Sequence, residues 1–223
     1  MIKVIKNGTV VTMDDSRSKK YEKLDIVIDG DAIAALTSNY EGSYDEVIDA
    51  SGKIVMPGLI NAHTHLGMSI FRATNDNLSL NDWLTKKIWP IEDKLTNEDI
   101  YYSTLLSAIE MIKSGTVMSN DMYFNCDGSL KALRETKVRC LFGRCLMDND
   151  EDGDNRIADF KRLYEENKDN ELIKFAIAPH AFYTCSKEYL KKCSDLALQY
   201  NLPFHIHFSE NENEVQQIRK LYG

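Results

Sequence analysis

The sequence has no apolar run approaching the ~20 residues that cross a bilayer as a helix, and no Lys/Arg run longer than two. The first absence argues against a membrane-spanning helix. The second, with a formal net charge of −8, argues against nucleic acid or an anionic membrane surface as partner. The opening MIKVIKNGTVV turns polar too soon for a secretory signal, so a cytoplasmic protein is expected. The five cysteines, Cys126, Cys140, Cys145, Cys185 and Cys193, are odd in number and include no C-x-x-C pair. That spacing argues against a disulfide framework or a cysteine-based zinc site and for reduced structural thiols. No internal repeat or low-complexity stretch stands out. With 43% hydrophobic and 28% charged residues in a chain of 223, the composition is that of a globular protein, long enough for one large or two modest domains.

Two rhythms divide the chain. Residues 1–56 read as short strands, Ile2 to Ile5, Thr9 to Met13, Leu24 to Ile28, Ala32 to Leu36 and Glu46 to Asp49. Turn signals at Asn7-Gly8, Asp29-Gly30-Asp31 and Ser51-Gly52 separate them. The expectation is a small β-sandwich module. Residues 57–223 alternate strand and helix. The strand IVMPGLI leads into a long loop to about Leu95. The segment after Thr96 then reads as a helix, with an N-cap, acidic first turn, helical apolar spacing and Gly115 at its end. Strands TVMSND, VRCLFGRCLM, LIKFAIAP and LPFHIHF follow, each succeeded by a helical pattern.

The chemistry-bearing residues fall at strand ends: His63 and His65 after the first strand, Asp121 after the second, Arg144 late in the third, His180 after the fourth, His207 and Glu210 at the fifth. Functional groups at successive strand C-termini are the habit of a (β/α)₈ barrel, whose strand ends all open on one face. Five strands predict an α/β fold with a partial TIM-type barrel, about five of eight βα units.

His63-Thr64-His65 puts two imidazoles at i and i+2 of an extended chain, on the same side and able to reach one ion. His205-Ile206-His207 repeats the spacing. His207 is preferred as the ligand because it lies nearer the strand end and three residues before Glu210, a carboxylate placed to carry a proton. His205 is expected to pack one layer deeper.

The stretches MPGLINAHTHLGMSIFR, LNDWLTKKIWPIEDKLT, SGTVMSNDMYF and HIHFSENENEV resemble the amidohydrolase superfamily, and within it the 5′-methylthioadenosine/S-adenosylhomocysteine deaminases and their chlorohydrolase relatives. The resemblance implies that His63, His65 and His207 are metal ligands and that Glu210 is the catalytic acid/base. It implies substrate contacts from Glu92 to ribose hydroxyls, from Arg144 and Arg156 to a homocysteine carboxylate, and from His180. Plainer roles stand beside these: a surface ion pair for Arg156, a solvated loop charge for Glu92, packing for Arg144 and His180.

One divalent ion is implied, zinc first, with Fe2+, Mn2+ and Ni2+ as alternatives. The implied reaction is hydrolytic deamination of an adenosine-type small molecule with release of ammonia. Guanine deaminase and triazine-type chlorohydrolase activities are the alternatives within the superfamily. The family also implies a further histidine after strand six and an aspartate after strand eight, neither of which the 223 residues supply; Asp121 does not match that position. The expectation is therefore an amino-terminal portion, inactive if isolated, with unpaired strand edges that favour a homo-oligomer or aggregation.

Overall fold

The computed structural model describes residues 1–74 and 77–223. Two compact units are present, Met1–Gly58 and Leu59–Gly223.

In the first unit, apolar side chains from neighbouring strands meet in a small core. Val10, Leu24 and Ile26 form it, flanked by Ile5, Ile28, Leu36 and Val55. Strand β1 (Ile2–Val11) pairs antiparallel with β2 (Tyr21–Asp29), and β2 with β3 (Ala32–Thr37). Strands β4 (Glu46–Asp49) and β5 (Ile54–Val55) lie parallel to β1. The Asp29-Gly30-Asp31 hairpin forms as its turn residues require, with Gly30 at φ +64°.

Asn7-Gly8 corrects the sequence reading. It is a bulge inside β1 and not a turn between two strands. Asn7 takes φ +65°, its N–H donates to buried Asp25 Oδ1 at 3.1 Å, and β1 resumes its pairing with β2 at Gly8.

The second unit carries a four-stranded parallel sheet in the order β6 (Leu59–Thr64), β7 (Thr116–Tyr123), β8 (Arg139–Leu146), β9 (Ile173–Pro179). Helices α3 (Asn97–Lys113), α4 (Cys126–Thr136), α5 (Gly153–Asn167) and α6 (Lys187–Tyr200) follow the successive strands. This is the arrangement of part of a (β/α) barrel. Phe142 and Phe175 from the sheet meet Leu130, Leu133, Phe160 and Leu163 from the helices in the main core. Helix α3 opens with a capping box. Thr96 Oγ1 accepts from Asp99 N–H, and Asp99 accepts from the Thr96 N–H. All five cysteines are buried and free.

Three sequence expectations change in detail. IVMPGLI is two strands broken at Pro57-Gly58: β5 belongs to the first unit, and β6 opens the second. The expected long loop contains helical turns, a 3₁₀ segment Leu66–Phe71, α1 (Leu80–Trp83), a π-turn Leu84–Ile88 and α2 (Trp89–Glu92) with Pro90 at its start. Fully buried Ile88 anchors them. LPFHIHF stays extended but forms a bridge in place of a ladder, Ile177 to Phe204. Pro203 has no N–H to give, and the chain turns away at Ser209, φ +55°. Helix α7 (Glu212–Tyr222) then closes the described chain.

Candidate metal centre and adjoining cavities

His63 lies in the last residues of β6, and His65 lies just beyond Thr64, where β6 ends. The extended backbone turns both rings to one side. His207 meets them from the segment after β9, its N–H donating to the His180 carbonyl at 2.9 Å. The three ring centroids stand 5.1–5.3 Å apart, and one nitrogen from each ring lies within 4.8 Å of the other two.

The hydrogen bonds assign the tautomers. His65 Nδ1 lies 2.6 Å from the Met122 carbonyl oxygen, and His207 Nδ1 lies 2.9 Å from that of His180. A carbonyl only accepts, so each Nδ1 carries the proton. Both Nε2 atoms are then lone-pair donors, and they face one another at 3.2 Å. Burial holds the His65 pKa below its ordinary value, which disfavours an imidazolium there. Two lone pairs at that distance repel unless a cation lies against both. The three imidazoles, in the neutral form that binds metal, would fit a divalent ion of the zinc class, with main-chain carbonyls orienting two of the rings.

Asp121, expected after β7, lies within it and is fully buried. Its Oδ1 accepts the Leu66 N–H at 2.8 Å, pinning the chain next to His65. Its Oδ2 has no hydrogen-bond partner, and burial pushes its carboxyl up to about 7.

A cavity of about 200 Å³ has the three histidines, His180, Glu210 and Glu92 in its wall, with Trp83, Trp89 and Phe124. Glu210 Oε2 accepts from the Tyr183 hydroxyl at 2.9 Å. The Glu210 N–H donates to Glu214 at 2.7 Å in the first turn of α7, which fixes where that carboxylate emerges. His180 Nδ1 is 2.9 Å from Thr184 Oγ1, and burial drives its pKa down to about 3, so the ring is neutral. Glu92 is buried, accepts from the Tyr123 hydroxyl at 2.6 Å, and has its pKa raised by burial. His205 remains outside the cluster of three. Its Nδ1 is buried without a partner, and its pKa is depressed by burial to about 4.

A second cavity, of about 530 Å³, shares Trp89, Glu92, Phe124 and Met147 with the first and holds Arg144 and Arg156. Arg156 is held by Asp150 through two bonds of 2.5 and 2.6 Å and donates to the Met147 carbonyl. Arg144 donates to Asp159 at 3.2 Å and to the Cys145 carbonyl. The ion pair weighed for Arg156 in the sequence is therefore present, on a side chain 14% exposed that faces the cavity. His63, His65, His207, Glu210, Glu92, His180, Arg144 and Arg156 each line one or both of these two cavities, whereas Asp121 and His205 line neither. Sequence reasoning missed Tyr123, Tyr183, Asp150 and Asp159, which hold the named residues in place. Only Tyr183, three residues past His180 in APHAFYTC, carried a signal that its position made readable.

Residues 54–223 match the model of the amidohydrolase family. The chain is 42% identical over 225 aligned residues to the 5-methylthioadenosine/S-adenosylhomocysteine deaminase of Thermoanaerobacter pseudethanolicus, an alignment covering 99% of this chain and 52% of that protein. It is 40% identical over 205 residues to the 5'-deoxyadenosine deaminase of Methanococcus vannielii, covering 88% and 49%. The crystal structure of a Xanthomonas campestris adenosine deaminase with bound zinc superposes with a TM-score of 0.90 at 29% identity, covering 99% of this chain and 52% of that one. The chain spans about half the length of the curated relatives it matches. Family match, sequence identity over nearly the whole chain and the histidine cluster at the strand ends agree: the chain belongs to the amidohydrolase family.

Proposed function

We propose that this chain forms the metal and substrate site of a hydrolytic deaminase acting on adenosine-type nucleosides, 5′-methylthioadenosine and S-adenosylhomocysteine among them, with release of ammonia. The observation that carries the reading is the Glu210 carboxylate in the same cavity as the paired Nε2 atoms of His65 and His207. A divalent ion held by His63, His65 and His207, zinc being the proposed one, supplies Lewis acidity that lowers the pKa of a water toward neutrality.

The chain's own residues do the rest. The purine enters the smaller cavity between Trp83, Trp89 and Phe124, which exclude solvent from its faces. Water adds to C6 across the ring C=N bond. Glu210 takes a proton from that water and returns it to the neighbouring ring nitrogen, then carries the remaining C6 hydroxyl proton to the exocyclic amine, which leaves as ammonia while the C6 carbonyl forms. The Tyr183 hydroxyl holds the Glu210 carboxylate in position for these transfers. Neutral His180, its Nδ1 on Thr184, offers Nε2 toward the substrate. Glu92, adjoining both cavities, accepts from ribose hydroxyls, and the 5′ substituent extends toward Arg144 and Arg156.

The test measures ammonia release from 5′-methylthioadenosine and guanine, and chloride release from a chlorotriazine, by the metal-loaded protein side by side. In a full-length protein carrying this chain, the reading expects turnover of 5′-methylthioadenosine alone. Turnover of guanine or the chlorotriazine in its place would overturn it.

A further inference from the structure

Both cavity arginines already have carboxylate partners from this chain. The Arg156 fork is closed by Asp150 at 2.5 and 2.6 Å. Arg144 holds Asp159, which Arg162 also holds at 2.8 Å. Around the larger cavity stand five acidic residues, Glu92, Asp93, Asp150, Asp152 and Asp159, against two arginines. A ligand entering from the histidine side therefore meets neutralised arginines inside an acidic wall.

We propose that Asp150 is a specificity-determining residue of this cavity: its closed pair with Arg156 favours 5′ substituents without net negative charge. The inference rests on the adenosine-type reading above.

The physics is one of exchange. A neutral thioether or methyl tail leaves the pair intact and packs on Phe124, Met147 and Trp89. A carboxylate tail reaches Arg156 only by taking its donors from Asp150, and the displaced carboxylate is then left beside the incoming one. Like charges at that distance repel, an effect that water softens at half-exposed Asp150 and less so at Arg156, which is 14% exposed. The Asp150 carboxyl does not escape by taking up a proton, because the Arg156 fork holds it down to about 2. A zwitterionic amino-acid tail is intermediate, since its ammonium group compensates the freed carboxylate. Asp159 is a weaker determinant because two arginines share it and Arg162 continues to hold it.

The experiment measures dissociation constants by quenching of tryptophan fluorescence, Trp89 lying in both cavities. The metal-loaded protein and its Asp150→Asn variant are titrated with 5′-methylthioadenosine, S-adenosylhomocysteine and adenosine-5′-carboxylate. The variant is expected to bind the anionic probe more tightly relative to the neutral one by roughly tenfold, the size of a modest charge-pair exchange, with S-adenosylhomocysteine between. An unchanged ratio overturns the inference. Asp150→Ser, which also removes the charge, provides the same readout should the asparagine variant misfold. If the unaltered protein binds none of the three nucleosides, the adenosine reading falls, and this inference with it. If it binds them and the ratio does not move, only the role of Asp150 falls.

Discussion

The Nε2 atoms of His65 and His207 face each other at 3.2 Å because each ring has committed its Nδ1 proton to a main-chain carbonyl, of Met122 and of His180. Those carbonyls belong to β7 and to the residue that follows β9. The sheet therefore sets the rotation of both rings, and the ligand geometry is built into the fold before any ion arrives. The orienting partner is main chain, which side-chain substitution leaves in place.

The proton carrier is expected to be separable from the metal. Glu210→Gln keeps the shape and the acceptor for Tyr183 but cannot take a proton. In a full-length protein the variant should retain metal and lose roughly 10²- to 10⁴-fold in kcat for deamination, the usual contribution of general acid–base catalysis. Near-normal turnover by the variant would give Glu210 another role.

Asp121 imposes a pH dependence on stability. Its folded-state pKa is raised from 3.8 to about 7 by burial. Between those values the folded protein keeps a proton that the unfolded chain has released, so this group's favourable contribution fades as pH rises. Asp121→Asn does not titrate. Urea unfolding of chelator-treated protein should show the variant gaining on the unaltered chain from about pH 4 to about pH 7, then holding level. A pH-independent difference would contradict the account.

Close packing of α3 on α4 depends on Gly128. A Cβ there would stand 2.2 Å from the Asn97 carbonyl oxygen and 3.0 Å from the Tyr101 nitrogen, both backbone atoms that cannot swing aside. Gly128→Ala should destabilise the second unit by about 1–3 kcal/mol, as overpacking does. A thermal or urea melt equal to that of the unaltered protein would show that the helices shift freely.

Features governed by short-range rules were legible in the sequence. Thr96 caps α3, Gly115 ends it, and the alternation of strand and helix gave the parallel sheet. His63 and His65 share one side because i, i+2 spacing in extended chain is itself geometry, and His207, singled out by its place near the strand end before Glu210, lies in one cluster with them. Long-range contacts decided the rest. Asn7-Gly8 carries the same positive-φ signal for a turn and for a bulge, and Asp25, 18 residues away, selects the bulge. The residues between Leu66 and Glu92 show no sustained period, because each helical piece is six residues or fewer and is held by burial of Ile88. Asp159 and Tyr123 were unreadable because their partners, Arg144 and Glu92, lie 15 and 31 residues off.

The central claim is that His63, His65 and His207 hold one divalent ion, and elemental analysis tests it most directly. Protein reconstituted with zinc and freed of excess should retain about one equivalent, as a three-histidine site does. His63→Ala combined with His65→Ala should lose it, while Asp150→Asn, outside the cluster, should keep it. Equal metal content in the double histidine variant and the unaltered protein would contradict the account.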